Sequence, residues 1–359
     1  MDFEIPSHMK ALQLVKYNDY YHLHHHVPVP VPKQGQVLVR VCAAGFCHSD
    51  LQVHDGTYRS PLPIIPSHET AGIIAALGAN VSGDWKVGDR VGVLNIRNPC
   101  GTCSGCKWSS ATLKELDARF CENKVMAGIK KADGGFAEYT LAEDYTLVLL
   151  PDSVSFEQAA PLTCAGATVW NAIQQTGLAK GQSIGIIGIG GLGVLGVQFA
   201  KALGYRVVAV DNRDIGLRLA SEVPSRLRPD LIVDYNSPDA ISQISLFTDD
   251  LGLNAAVVCT DNIEASDWTL NRLQPRGTCV VLGLPESGFR FEAFNLVFRE
   301  IVVKGSLLSS VAEANRMLQV VAEHGVRSHL TMLPLEQGEM IPERAAGHEF
   351  AGRLVVTMH

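Results

Sequence analysis

Residues 184–193 read Ile184-Gly-Ile-Ile-Gly188-Ile-Gly190-Gly191-Leu192-Gly193, and this stretch decides the fold. Gly188, Gly190 and Gly193 form a G-x-G-x-x-G pattern, placed after an apolar strand-like run (183–188) and at the start of a helix-length run. In that setting the first glycine makes the tight turn and the second lets the backbone approach a pyrophosphate. The third allows close helix–strand packing. Phosphates then sit on the helix N-terminus, beside Gly191 and Leu192. A second apolar run (205–210) follows and ends at Asp211, where an acidic residue takes the adenosine ribose 2′-hydroxyl. A carboxylate there repels a 2′-phosphate, so NAD is expected over NADP; the nearby Arg213 weakens that preference.

No charged residue stands between Lys180 and Lys201, a length that could span a bilayer. Glycines crowd the stretch in the phosphate-binding pattern, and a second strand signal follows at once, so no membrane span is expected. Further along, apolar runs at 230–233, 255–259, 278–282 and 300–305 alternate with helix-length stretches. Such alternation predicts an α/β fold with a doubly wound parallel sheet covered on both faces. Upstream the texture differs. Short strand signals at 36–41, 69–77 and 90–93 are broken by Gly and Pro, which predicts a small, mainly β barrel or sandwich. From about residue 308 the tail mixes a helix with a last strand at 352–357.

A length of 359 residues suits two domains. With 47% apolar and 19% charged residues the chain is globular, and a net charge of −7 argues against a nucleic-acid partner. The N-terminal MDFEIPSHMKALQL lacks the cationic start and apolar core of a signal peptide, so a cytoplasmic location is expected. Nine cysteines in a reducing compartment read first as thiols or metal ligands. His24 to His26 precede a Val-Pro alternation and read as an exposed turn leading into an extended segment.

Cys100, Cys103 and Cys106 stand at C-x2-C-x2-C spacing, with Cys121 the next cysteine. Four thiolates satisfy a closed tetrahedral zinc site, and spacings this short let one loop wrap the ion. A second constellation is dispersed: Cys47-His48-Ser49-Asp50, then His68-Glu69, then Cys164. Taken singly, each of these residues fits ordinary core packing, and spacing alone does not assemble them.

The chain resembles the zinc-containing medium-chain alcohol dehydrogenases over nearly its whole length. The likeness rests on Gly45-Phe-Cys47-His48-Ser49-Asp50, Ser67-His68-Glu69, the Cys100–Cys106 cluster, Ala160-Pro-Leu-Thr-Cys164-Ala-Gly, the glycine turn with Asp211, and Gly352-Arg353. The resemblance implies a discontinuous GroES-like catalytic domain (1–164 and 308–359) around a Rossmann NAD-binding domain (165–307). It implies two zinc ions per chain. Cys47, His68 and Cys164 would hold a catalytic one with a position left open, and Cys100, Cys103, Cys106 and Cys121 a structural one. Asp50 would orient the ligand histidine. Glu69 would sit behind the metal, free to exchange with a ligand, and His48 and Arg353 would contact the cofactor pyrophosphate. Zinc would then polarise the oxygen of an alcohol, aldehyde or ketone while hydride passes to or from NAD, with Ser49 relaying the proton. The resemblance also implies a homodimer or homotetramer, with the strand at 300–305 able to pair with its symmetry mate.

Three departures from the family pattern stand out. The run from Lys107 to Phe120 is about twice the usual length, and Leu113, Leu116 and Phe120 within it have helical spacing. This predicts an extra turn or short helix and puts the fourth structural ligand in question. Ser67 replaces the usual glycine before the ligand histidine, at a cost of order 1 kcal/mol if φ is positive there. Gln52 replaces a relay histidine, and His54 is not spaced to take over. Two other readings compete. A metal-independent enoyl or quinone reductase would have no use for Cys47, His68 and Cys164 together. A redox-sensing nucleotide-binding protein built on the four-cysteine loop would show fewer than two zinc ions per chain and no NAD reduction by alcohols.

Overall fold

A computed structural model describes residues 4–347 and 350–358, which divide into two units. The second unit, Ala165–Ser309 with Gln319–His329, is built around six parallel strands. They are β1 (Ser183–Ile187), β2 (Arg206–Asp211), β3 (Leu231–Asp234), β4 (Leu253–Val258), β5 (Leu273–Val281) and β6 (Val302–Gly305). Their order, β3-β2-β1-β4-β5-β6, is that of a dinucleotide-binding doubly wound sheet, as the alternating runs predict. β1 is buried at every position, because helices cover both faces and leave no place for a polar alternation. Val208, Val210, Val258 and Cys279 from neighbouring strands meet in one apolar cluster.

The order reverses between β1 and β4, and the glycine turn lies just beyond the carboxyl end of β1. Gly188 has φ +90°, a conformation that side chains oppose. A Cβ at Gly193 would come 2.1 Å from the Gly188 carbonyl oxygen, so only glycine lets the next helix, Gly191–Ala202, start this close to the strand.

The first unit runs to Cys164 and takes in Ser310–Leu318 and the chain from Leu330 onward. Its largest sheet has seven strands. At its centre Gln36–Phe46 pairs antiparallel with Glu69–Leu77 on one side and with Arg353–Thr357 on the other. The register sets Gly45 opposite both Glu69 and Val355. One strand therefore ends where its two neighbours begin. Cys47, His68, Glu69 and Arg353 are thereby delivered to the same end of the sheet, across more than 300 residues of sequence.

His24 to His26 lie exposed within the strand Tyr21–Pro28, not in a turn. That strand forms a hairpin with His8–Leu14, and Leu12, Leu14 and Tyr21 bury the inner face. Adjacent strand residues point to opposite faces, so the exposure of all three means that both faces of the hairpin are open to solvent here. Among the described residues no helix is long and apolar enough to cross a membrane.

Candidate active site and cysteine loop

Cys47 follows the central strand and caps the helix His48–His54. His68 and Glu69 open the neighbouring strand, and Cys164 lies in a π-helical turn, Leu162–Gly166, that continues the helix Phe156–Pro161. Such single π turns occur mostly at functional positions. One ligand-type atom from each of Cys47, His68, Glu69 and Cys164 falls within 4.8 Å of the others. All but the half-buried Cys164 are shut off from water.

Asp50 locks two of these residues together. Its Oδ2 accepts from the Cys47 backbone N–H at 2.8 Å and its Oδ1 from the Ser67 N–H at 3.1 Å. The same Oδ1 lies 3.5 Å from Nδ1 of His68, which leaves the other ring nitrogen for the cluster. Glu69 in turn accepts from Nη2 of the buried Arg353. Burial raises the Glu69 carboxyl to about 7, even against the attraction of that guanidinium. A hydrogen bond from the Cys164 thiol holds Cys47 well below its ordinary range, and the same bond pushes Cys164 well above it. Burial opposes charge on His68, yet the Asp50 carboxylate keeps it raised.

Ser67 has φ +72°, so the serine does sit in the left-handed region. Its hydroxyl donates to the Gly45 carbonyl at 2.8 Å, a bond glycine cannot make. Ser49 and Gln52 lie on the helix that follows Cys47, while His48 is exposed at its start. A ring nitrogen of His54 is 2.9 Å from the Asp19 carbonyl, tied to the hairpin loop and away from Ser49.

The cysteine loop is assembled differently. Cys103 caps the helix Ser104–Thr112, its sulfur accepting from the Cys106 N–H at 3.5 Å. Sulfur separations are 4.0 Å for Cys100–Cys106 and 3.9 Å for Cys103–Cys121. These are close to the edge of about 3.8 Å of a tetrahedron with Zn–S bonds near 2.3 Å, and far too long for a disulfide. The N–H groups of Glu122 and Asn123 donate to Cys103 and Cys121. N–H donors at Thr102 and Cys103 bring the Cys100 thiol down to about 5, whereas burial pushes Cys106 up to about 12.

Cys121 stands in this cluster despite the long run before it. The helix in that run starts earlier than the Leu113, Leu116 and Phe120 spacing predicts, because Cys103 caps it. Leu113 closes it, a short 3-10 turn (Ala118–Phe120) leads into Cys121, and all three apolar residues stay exposed. The indole of Trp108 instead meets Phe120 edge-on at 4.8 Å.

In the second unit, Asp211 ends β2 and accepts from the Ile189 N–H at 2.6 Å, which ties its carboxylate to the glycine turn. Arg213 grips the same carboxylate through Nε and Nη2, both at 3.0 Å. The sequence places Arg213 near Asp211 but gives no sign of this grip, nor of the Arg353–Glu69 pair or the Ser67–Gly45 bond. Each depends on side-chain direction rather than on spacing.

Comparison with known proteins agrees with this architecture. Residues 33–152 match the alcohol dehydrogenase GroES-like domain, and residues 191–323 match the zinc-binding dehydrogenase domain. An alcohol dehydrogenase of Geobacillus stearothermophilus is 36% identical over 92% of this chain and 94% of its own. One from Rhizobium meliloti is 35% identical over 93% and 94%. The acetophenone reductase of Geotrichum candidum, solved in complex with NAD, superposes with a TM-score of 0.81 at 26% identity, covering 99% of this chain and 98% of that one. On these matches the chain belongs to the zinc-containing alcohol dehydrogenase family of medium-chain dehydrogenases.

Proposed function

We propose that this chain is a zinc-dependent oxidoreductase that transfers hydride between NAD(H) and a small alcohol or its aldehyde or ketone. The observation that carries the reading is the buried convergence of two thiols and an imidazole within 4.8 Å, with Asp50 behind the imidazole. Two sulfurs and one nitrogen are a donor set for catalytic zinc, so the residues present fit the ion. Cys47, His68 and Cys164 would hold it. Bound there, zinc supplies Lewis acidity to a substrate oxygen.

The chain's own residues do the rest. Asp50 fixes the His68 ring and the Cys47 loop together. Arg353 donates to the Glu69 carboxylate and so competes with the metal site for it, which would keep room there for a substrate oxygen. Ser49 accepts the substrate hydroxyl proton and passes it outward; Gln52 has no basic group to carry it further. Gly188, Gly190, Gly191, Leu192 and Gly193 bind the cofactor pyrophosphate at the start of a twelve-residue helix, and Asp211 lies at the ribose. Cys100, Cys103, Cys106 and Cys121 hold a second, structural zinc.

The NAD-bound relative and the paired domain matches support this reading over a metal-independent reductase or a redox sensor. Zinc quantitation beside a screen of primary, secondary, allylic and aromatic alcohols with NAD tests it. Two zinc ions per chain and NADH formation are expected; fewer than two, with no alcohol oxidised, would sink it. We also propose a homo-oligomer built on β6. Among the described residues this edge strand pairs with β5 alone, and Phe294, Val297 and Phe298 lie exposed in the helix before it. Light scattering reads the oligomer directly, and a monomer at micromolar concentration would refute it.

A further inference from the structure

The Asp211 carboxylate has no acceptor position left. An ionised carboxylate offers about four lone-pair sites. Oδ1 accepts from the Arg213 backbone N–H at 2.9 Å and from its Nε at 3.0 Å. Oδ2 accepts from the Ile189 N–H at 2.6 Å and from Arg213 Nη2 at 3.0 Å. The group that discriminates by accepting from a ribose diol and repelling a phosphate is thus saturated, and its charge is matched by a guanidinium in a two-bond fork. The carboxyl is buried while the Arg213 side chain is 54% exposed, so what this corner presents to a ligand is the arginine.

Arg213 also stands at the right place. Its Nη2 is 3.9 Å from where a side chain on Gly190 would begin, so the guanidinium borders the phosphate turn. A guanidinium carries five N–H donors, and the fork to Asp211 uses two of them. Among the described residues the remaining donors meet no acceptor, and such donors suit a 2′-phosphate at least as well as a hydroxyl pair. For NAD the ribose hydroxyls must displace one of the arginine's bonds to reach Asp211, which lowers the return from that contact.

We propose that the Asp211–Arg213 pair makes the adenosine ribose subsite permissive for a 2′-phosphate, so that this chain takes NADP(H) alongside NAD(H), with Arg213 as the residue that sets the ratio. The inference rests on the reading of Gly188–Gly193 as a dinucleotide site and changes what is expected of Asp211 within it. A lone carboxylate gives strong selection for NAD; one already paired to an exposed arginine gives weak selection.

The test uses the zinc-loaded full chain and calorimetric titration with 5′-AMP, adenosine 2′,5′-bisphosphate, NAD and NADP. In the wild type, the Kd values of NAD and NADP are expected within about tenfold of each other, as are those of the two adenosine probes. In Arg213→Gln the fork is lost. Binding of the 2′-phosphate compounds should weaken about 10- to 100-fold, the range of a lost charged hydrogen bond, while NAD binds as well or better because Asp211 is released. If the wild type binds NAD and 5′-AMP but takes the 2′-phosphate compounds about a hundredfold more weakly, the proposal is overturned and the dinucleotide reading survives. A variant that weakens all four ligands equally overturns it too. If neither NAD nor 5′-AMP binds the wild type, the dinucleotide reading itself fails. The wild-type comparison decides the matter even if the variant does not fold.

Discussion

Cys100, Cys103, Cys106 and Cys121 come from a single loop of the first unit, whereas Cys47, His68 and Cys164 come from three separate elements of it. In the loop, the sulfurs are surrounded by backbone N–H donors at Cys100, Cys106, Glu122 and Asn123, and among the described residues no carboxylate joins the four thiols as a ligand. In the buried cluster the neighbours are charged side chains: Asp50, Glu69 and Arg353. Four sulfurs caged by amides close a coordination sphere and leave nothing for a substrate to displace. On the proposed reading, two sulfurs and an imidazole, with a carboxylate shared with arginine, would leave room for a substrate oxygen in a site of low dielectric, where a Lewis acid acts most strongly. On that reading the same ion would be structural in one place and reactive in the other because of what surrounds it.

The comparison predicts opposite phenotypes. Cys47→Ser should lower kcat/KM by about a thousandfold or more, the loss of several kcal/mol of charge stabilisation, with zinc content falling from two ions per chain toward one. Its melting temperature should change little relative to that loss. Cys103→Ser should do the reverse. Loop zinc binding supplies folding energy, so the melting temperature should fall and residues 100–123 should become susceptible to protease. Zinc at the buried cluster should persist, as should activity in the fraction that stays folded. If Cys103→Ser instead abolished turnover in folded protein, the division of labour between the two clusters would be wrong.

A smaller effect tests how the buried site is held. Asp50→Asn keeps the shape but removes the charge facing His68, and its single oxygen can accept from only one of the two backbone N–H groups. Partners behind a ligand histidine are worth about 10- to 100-fold in metal affinity, and chelator competition should show a loss in that range at one zinc per chain, leaving the other untouched. Equal loss at both sites would mean that Asp50 acts on the fold at large.

What could be read before the structure follows from how local each feature is. The turn at Gly188–Gly193 and the loop at Cys100–Cys106 carry their geometry in a few consecutive residues, so spacing suffices. Cys47 and His68 are brought together by an antiparallel register that sets Gly45 against Glu69, and Cys164 joins them from a π-helical turn after the helix Phe156–Pro161; without the family resemblance no spacing predicts it. The run after Lys107 was legible in part, as an extra turn or short helix, and it holds both a helix and a 3-10 turn. What the spacing of Leu113, Leu116 and Phe120 does not give is the position of that helix, which is started by the Cys103 sulfur and ends before those residues can share a face. Asp211 could be placed in sequence, but its two oxygens are filled by Arg213 and Ile189, and saturation of a carboxylate leaves no mark on spacing.

The smallest predicted effect concerns Ser67, where two terms of similar size oppose each other. A non-glycine residue at φ +72° carries a cost of about 1 kcal/mol relative to glycine. The bond from its hydroxyl to the Gly45 carbonyl contributes about 1 kcal/mol in the other direction. Ser67→Gly relieves the first and loses the second, so stability should move by less than about 0.5 kcal/mol. Ser67→Ala keeps the strain and loses the bond, and should destabilise by about 1 kcal/mol in denaturant unfolding. The pair of variants separates backbone from hydroxyl, which neither does alone. The hydroxyl also joins the residue before His68 to the strand that leads into Cys47, so its removal should loosen the buried cluster and not the cysteine loop. Both variants should therefore release the buried-site zinc faster to chelator, by a few-fold, while the loop ion exchanges at the parent's rate. Unchanged release in Ser67→Gly would show that the serine is tolerated by the site without helping to hold it.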